Sequence, residues 1–313
     1  MAGFCIDEKS FTNVDNLSGV IDRLNERLST IHNQHRQQVF KSSELDYVEI
    51  AAGVELWDLL YNSSLELISN DDRLLLIQTI DKCIVWDTDF ELPAEEIKID
   101  SKVSDSFSIM FVASKAARGV AIGLISTVPI QDAGVTLVSV GAESSKVFRV
   151  SLEDRLERFY RFQICFEKAT RDEFGQWVHL LFPRLRFALE VSSQLRRFKQ
   201  KYDDIREMIV DHLASLNDEF LDLLTNGFQL SDACERMRAS CGVVISPESP
   251  NTHRNMSAMR EREVKFNGTE IVCEFHTKLT PTHDRIHFSP TIRTERDGAK
   301  FIVVGPFADH LTI

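Results

Sequence analysis

The sequence predicts an α+β protein with a helical N-terminal region, a small β-containing middle, a helical connector and a C-terminal antiparallel β-meander. Three observations predict it. Apolar residues recur at three- and four-residue spacing through the front of the chain. From Phe107 the texture changes to short β-prone runs broken by Gly, Pro and Asp. Around Asn267-Gly268 the pattern becomes strict alternation. These shifts divide the chain into regions 1–95, 96–190 and 191–313.

In chain order, Val14, Leu17, Ile21, Leu24, Leu28 and Ile31 form a helical stripe, so a helix is expected over 14–36. A second is expected over 44–68 through Val48, Ala51, Ala52, Leu56, Leu59 and Leu60, with Trp57 and Tyr61 in the core. Asn70-Asp71-Asp72 offers a cap for a third, Arg73 to Trp86, and Trp86 is assigned to the core as well. Residues 107–112, 120–125 and 135–140 read as strands, with at least one helical turn over Ala113 to Ala117. Helical spacing returns at 152–168 and 191–224, where Arg196, Arg197, Lys199 and Lys201 make a basic run read as a solvated helix face. Residues 240–257 are loop-like.

Composition narrows the class. The chain is 43% hydrophobic and 27% charged over 313 residues, which suits an ordinary globular protein. No apolar run reaches the roughly 20 residues that span a bilayer, and the start carries no signal-peptide pattern, so a cytoplasmic protein with no membrane partner is expected. Six scattered cysteines without C-x-x-C spacing are expected to be buried thiols. A net charge of −12 argues against indiscriminate coating of duplex DNA. Residues 254–313 hold nine of the 36 Lys/Arg but only eight of the 48 Asp/Glu, and five of the nine histidines lie at His253 and beyond. Chemistry is therefore expected at that end.

The meander places it. Asn267-Gly268 forms a two-residue turn if Phe266 pairs with Thr269, Lys265 with Glu270 and Val264 with Ile271. Alternation then points Ile271, Cys273, Phe275 and Leu279 inward and Glu274, His276 and Lys278 outward. A third strand adds Ile286 and Phe288 inward, with Arg285 and His287 outward. A fourth, Phe301 to Val304, is expected to break at Gly305-Pro306, with His310 beyond it. Adjacent strands lie about 4.8 Å apart, so Glu274, His276, Lys278, Arg285 and His287 can converge on a small ligand or phosphate. His supplies acid or base, Arg clamps phosphate, Lys is a point charge and Glu is an orienter or base. A charged, wet strand face explains the same residues without chemistry. His276, His283, His287 and His310 offer imidazoles to zinc or manganese, yet no zinc-site spacing accompanies them. Glu274 and Lys278 resemble the acidic-basic end of metal-dependent restriction nucleases, with no upstream Asp assigned. The expected site holds no metal or cofactor.

The segments Glu274-Phe275-His276-Thr277-Lys278, Arg285-Ile286-His287-Phe288 and Gly305 to His310-Leu311 resemble the tail of a widespread, largely uncharacterised bacterial family. Its signature reads E-x-H-x-K, R-I-H-F and G-x-x-x-x-H-L. The compact meander with a late His is also similar to the RelE/HigB-type toxins, small ribonucleases that cleave messenger RNA at the ribosome. That resemblance implies a catalytic face bearing Lys278, Arg285, His287 and His310. This chain departs from those toxins in being long and acidic, so ribosome docking is not carried over. The leading expectation is a bacterial toxin- or phage-defence-type, metal-independent ribonuclease. The competing one is a non-catalytic sensor or adaptor subunit of a defence system that binds a phosphate or nucleic acid, RNA ahead of DNA, on the same face and docks a protein partner through its acidic helical front.

Overall fold

The computed structural model describes residues 3–12, 14, 16–87, 96–99, 102–104, 106–127 and 134–312. The Pro- and Asp-bearing break expected before Val135 lies outside them. The chain is an α+β protein of two compact units, Met1–Glu167 and Lys168–Ile313. That boundary differs from the divisions at 95 and 190, because strands from both sides of residue 95 pair in one sheet. Among the described residues no helix is long and apolar enough to cross a membrane.

The first unit begins with β1 (Gly3–Ile6), buried along its whole length, followed by α1 (Leu17–Ser29) and β2 (Gln38–Lys41). Then come the hairpin β3 (Glu49–Ala51) and β4 (Val54–Glu55), α2 (Leu56–Tyr61), α3 (Asn70–Ile80) and β5 (Ile84–Val85). The unit continues with β6 (Ile97–Ile99), β7 (Lys102–Ser104), α4 (Phe107–Ala117), β8 (Ile122–Ser126), β9 (Val135–Val140), β10 (Glu143–Ser151) and α5 (Leu156–Phe166). Its main sheet runs β5-β2-β1-β8-β10-β9-β6-β7. The pairings from β5 to β10 are parallel and the rest antiparallel. The front is thus not merely helical. Successive residues of β1 point to opposite faces: Phe4 meets Phe159 of α5 at 4.7 Å between centroids, while Cys5 joins the cluster containing Ile109 and Val112 of α4. Helices therefore cover both faces of the parallel part. Gly123 keeps β8 close, since a Cβ there would meet the Phe4 ring at 2.8 Å.

Several expected elements change type for local reasons. The helix expected over 44–68 is interrupted by the β3–β4 turn, where Gly53 has φ +70°. Trp57 and Tyr61 are consequently half exposed, their rings in tilted contact, whereas Trp86 is buried and stacked on Phe111. Residues 107–112 are helix, not strand. Ser106 Oγ accepts from Ile109 N, and the buried Glu8 carboxylate accepts from Ser108 N at 3.2 Å, so the first turn of α4 is capped twice. Asp7 accepts from Ser106 Oγ at 3.1 Å; burial first, then the neighbouring Glu8, pushes its carboxyl up to about 6. Cys5, Cys83 and Cys273 are buried free thiols, while Cys165, Cys234 and Cys241 are half-buried free thiols.

The second unit opens with α6 (Arg171–Leu181), capped by a reciprocal Thr170–Glu173 box, then β11 (Leu185–Phe187), α7 (Val191–Leu195), α8 (Tyr202–Ser215), α9 (Leu221–Thr225) and α10 (Leu230–Cys241). The basic run at 196–201 lies between α7 and α8, not on a helix face. Residues 240–257 are more ordered than a loop, carrying β12 (Ile245–Pro247) and α11 (Pro250–Arg254), and α12 (Met256–Arg260) follows. The meander comprises β13 (Glu263–Phe266), β14 (Thr269–Val272), β15 (Phe275–Lys278), β16 (Arg285–Thr294) and β17 (Lys300–Ala308). Asn267 and Gly268 have φ 49° and 78°, and β13 pairs β14 in the expected register.

That hairpin is a sheet of its own, and β15 enters a second sheet of order β11-β17-β16-β15-β12. Gly305 does not end β17. It makes room for Cys273 of the hairpin, whose own Cβ would lie 2.9 Å from a Cβ at 305. Pro306 is accommodated beside a register shift between Ile286 and Phe288 of β16. On the core face, Thr277 packs on His212 of α8 and Phe288 on Phe220.

Candidate functional site

Register assembles the site. His276 pairs directly with His287 across β15 and β16, and Lys278 pairs with Arg285. All four share one face, opposite Thr277 and Ile286, which are fully buried in the core. The imidazole centroids of His276 and His287 lie 5.2 Å apart.

This face is not flat and wet. Strand β12 pairs antiparallel with β15, placing Ser246 beside His276, and Glu248, just past the strand, donates its backbone N–H to Glu274 O at 2.8 Å. Ser249 and Asn255 cap the short helices α11 and α12, which return the chain to Arg262. The segment 245–262 therefore folds over the histidines and leaves a pocket of about 200 Å3, lined by Glu248, Arg262, His276, Lys278, Arg285, His287, His310 and neighbours. His287 is 1% exposed and His276 is 7% exposed.

Glu248 organises the floor. Its Oε2 accepts from Arg262 Nη2 at 3.1 Å, and its Oε1 lies 2.9 Å from Arg262 Nε in a close ion pair that lacks hydrogen-bond alignment. The same Oε1 lies 3.2 Å from His276 Nδ1 and 3.4 Å from His287 Nδ1. Burial acts to raise the Glu248 carboxyl, but hydrogen bonds from His276 and Arg262 and the guanidinium charge outweigh it and hold the group down at about 2. Glu248 is an anion at neutral pH. Burial, aided by His276, pushes His287 down to about 3 against the opposing pull of Glu248, so it is a neutral imidazole. Neither ring nitrogen of His287 has a hydrogen-bond partner, and His276 Nε2 also lacks one. A buried N–H left in that state costs about 1–3 kcal/mol.

The rim differs. Lys278 and Arg285 are partly exposed, face each other, and pair with no carboxylate among the described residues. His310 is exposed and its Nδ1 bonds to the Leu311 carbonyl at 2.7 Å. In the neutral ring this fixes the proton on Nδ1 and leaves Nε2 as an acceptor.

Five of the six expected site residues thus converge: His276, Lys278, Arg285, His287 and His310. Glu274 does not line the pocket: it lies between β14 and β15, where its carbonyl accepts from the Glu248 N–H. The carboxylate that lines the pocket is Glu248. Glu248 and Arg262 are invisible to a reading based on strand spacing, since both come from the covering segment; Ser249-Pro250 is the one local signal, marking a helix start. His283 lies outside, bonded to Thr282 and Gln200. A larger cavity of about 460 Å3 in the same unit is lined by Arg171, Arg196, Lys199 and Lys201. It contains no histidine. No family model, curated protein or solved structure matches this chain.

Proposed function

We propose that the C-terminal unit binds a phosphodiester in this pocket and cleaves RNA, as a toxin- or phage-defence-type ribonuclease does. One observation carries the reading: Lys278 and Arg285 stand opposite each other at the pocket, without a carboxylate counter-ion among the described residues. Like charges directly opposite on a sheet repel. An anion between them turns that repulsion into attraction, and the planar guanidinium suits a phosphate.

RNA is favoured over DNA because it brings its own nucleophile. In this reading His310 Nε2 takes the proton from the 2′-hydroxyl, and the 2′-oxygen bonds to phosphorus. Lys278 and Arg285 neutralise the crowded phosphate. The P–O5′ bond breaks, the leaving oxygen takes a proton from the Lys278 ammonium, and the products carry a 2′,3′-cyclic phosphate and a 5′-hydroxyl. The net charge of −12 limits nucleic-acid contact to local cationic patches such as this one.

The test is cleavage of an end-labelled single-stranded RNA, with a strand carrying one 2′-deoxy position as control. Wild-type protein is expected to leave cyclic phosphate ends and to spare the 2′-deoxy linkage. His310→Ala is expected to slow cleavage by about 10²–10⁴-fold, the range of general acid–base catalysis. RNA bound but never cut makes the chain a non-catalytic adaptor; RNA neither bound nor cut removes the nucleic-acid reading.

A further inference from the structure

We propose that Glu248, His276 and His287, in the floor beneath that rim, hold a divalent transition-metal ion, zinc or a first-row ion of similar chemistry. Two imidazoles and one carboxylate are a donor set that such ions accept, leaving further coordination positions for water or substrate. One ligand atom from each residue lies within 4.8 Å of the others, and all three residues are buried. Bonds of about 2.1 Å at tetrahedral angles set ligand atoms about 3.4 Å apart. Glu248 Oε1 is already 3.2 Å from His276 Nδ1 and 3.4 Å from His287 Nδ1.

A second observation points to a ligand. His287 is 1% exposed, lines the pocket, and has no hydrogen-bond partner at either nitrogen. Buried polar atoms are almost always satisfied, and a metal supplies what the protein does not. Arg262 is compatible with this. It engages Glu248 from one side and Ala258 O with its remaining Nη1, which orients the carboxylate as outer partners of metal ligands do. Each carboxylate oxygen keeps a second lone pair for the ion. The pocket provides the entry path and the open coordination side.

Charge sets a consequence. Glu248 holds a divalent ion against the nearby charges of Arg262, Lys278 and Arg285, and an added anion relieves that repulsion further. Metal and phosphate therefore bind with positive coupling, each tightening the other by the same factor. The metal site stands whether or not the pocket cleaves RNA.

The experiment uses the full chain stripped with chelator and titrated with Co2+ and Zn2+ by calorimetry and elemental analysis. One equivalent is expected, with visible d–d absorption from low-coordinate Co2+. His287→Asn and Glu248→Gln, shown folded by circular dichroism, are expected to weaken binding at least tenfold, while His283→Ala is expected to leave it unchanged. X-ray absorption on the Zn2+-loaded wild type needs no variant to fold, and two imidazoles in a nitrogen/oxygen shell are expected. Lack of stoichiometric uptake, sulfur in the first shell, or full binding by folded His287→Asn overturns the proposal. None of these readouts depends on RNA cleavage.

Discussion

Arg262 holds both carboxylate oxygens of Glu248 in the pocket floor, its Nη2 3.1 Å from Oε2 and its Nε 2.9 Å from Oε1, with both side chains buried. Removing one member of a buried pair leaves the other charge uncompensated, which costs about 3–5 kcal/mol. Arg262→Ala is expected to destabilise the second unit by that amount, read from urea unfolding followed by a probe in residues 168–313. A loss below about 1 kcal/mol, the ordinary value of exposed pairs, would show that the pair is not desolvated.

Acid acts in opposite directions on Asp7 of the first unit and on Glu248, His287 and His212 of the second. Glu248 is held at about 2 when folded against 4.5 ordinarily, so its stabilisation is complete above 4.5 and is lost as pH falls towards 2. His287 is held at about 3 against 6.5, so its neutral-state stabilisation fades as pH falls from 6.5 towards 3. His212, pushed down to about 4 by burial, acts in the same sense. Asp7 is the reverse: raised from 3.8 to about 6, it favours folding below 3.8, and that contribution disappears as pH rises through 6. Between pH 7 and 4 the second unit is expected to weaken, while Asp7 contributes stability to the first. Hydrogen exchange resolved by segment reads both trends. Asp7→Asn should flatten the first unit's dependence and leave the second's unchanged.

Lys278 and Arg285 test the rim without disturbing the core. Lys278→Ala removes a cross-strand repulsion, so stability is expected to hold or rise by up to about 0.5 kcal/mol. RNA affinity is expected to fall, and the slope of log affinity against log salt to flatten by about 0.7 for each phosphate that is no longer neutralised. Fluorescence anisotropy over a salt series measures this. An unchanged slope would place the nucleic acid elsewhere.

Gly305 and Cys273 form a steric pair. A Cβ at 305 would collide with Cys273 Sγ and sit 2.9 Å from its Cβ, so Gly305→Ala forces the hairpin and β17 apart. Overpacking of this kind costs about 1–3 kcal/mol. In a Cys273→Ala background the penalty is expected to shrink, and a double-mutant cycle by thermal unfolding reads the coupling. Additive effects would mean that the strands separate for another reason.

What is legible in the sequence and what is not follows from the range of the signals. Asn267-Gly268 and the alternation of β15 and β16 are local, and they place His276 with His287 and Lys278 with Arg285 on one face. Alternation says which residues share a side but not what covers that side. Glu248 sits 28 residues before His276, and no spacing rule connects them. In the first unit, β1 and β2 escape because short strands inside a parallel sheet need not alternate. Apolar Phe107 to Val112 is helical because Ser106 and Glu8 cap its start, and Glu8 reaches Ser108 from 100 residues away.

Strand β12 joins the sheet through three residue pairs, Ile245 with Thr277, Ser246 with His276 and Pro247 with Phe275. Short edge strands are among the first parts of a fold to come loose in native fluctuations. Because Glu248 rides on the end of this one, a detachment too small to melt the sheet still withdraws the only anion facing the two histidines among the described residues, and opens the floor from its side. The pocket's charge is thus latched by a short stretch of backbone pairing, the three β12–β15 pairs and the Glu248 N–H on Glu274 O.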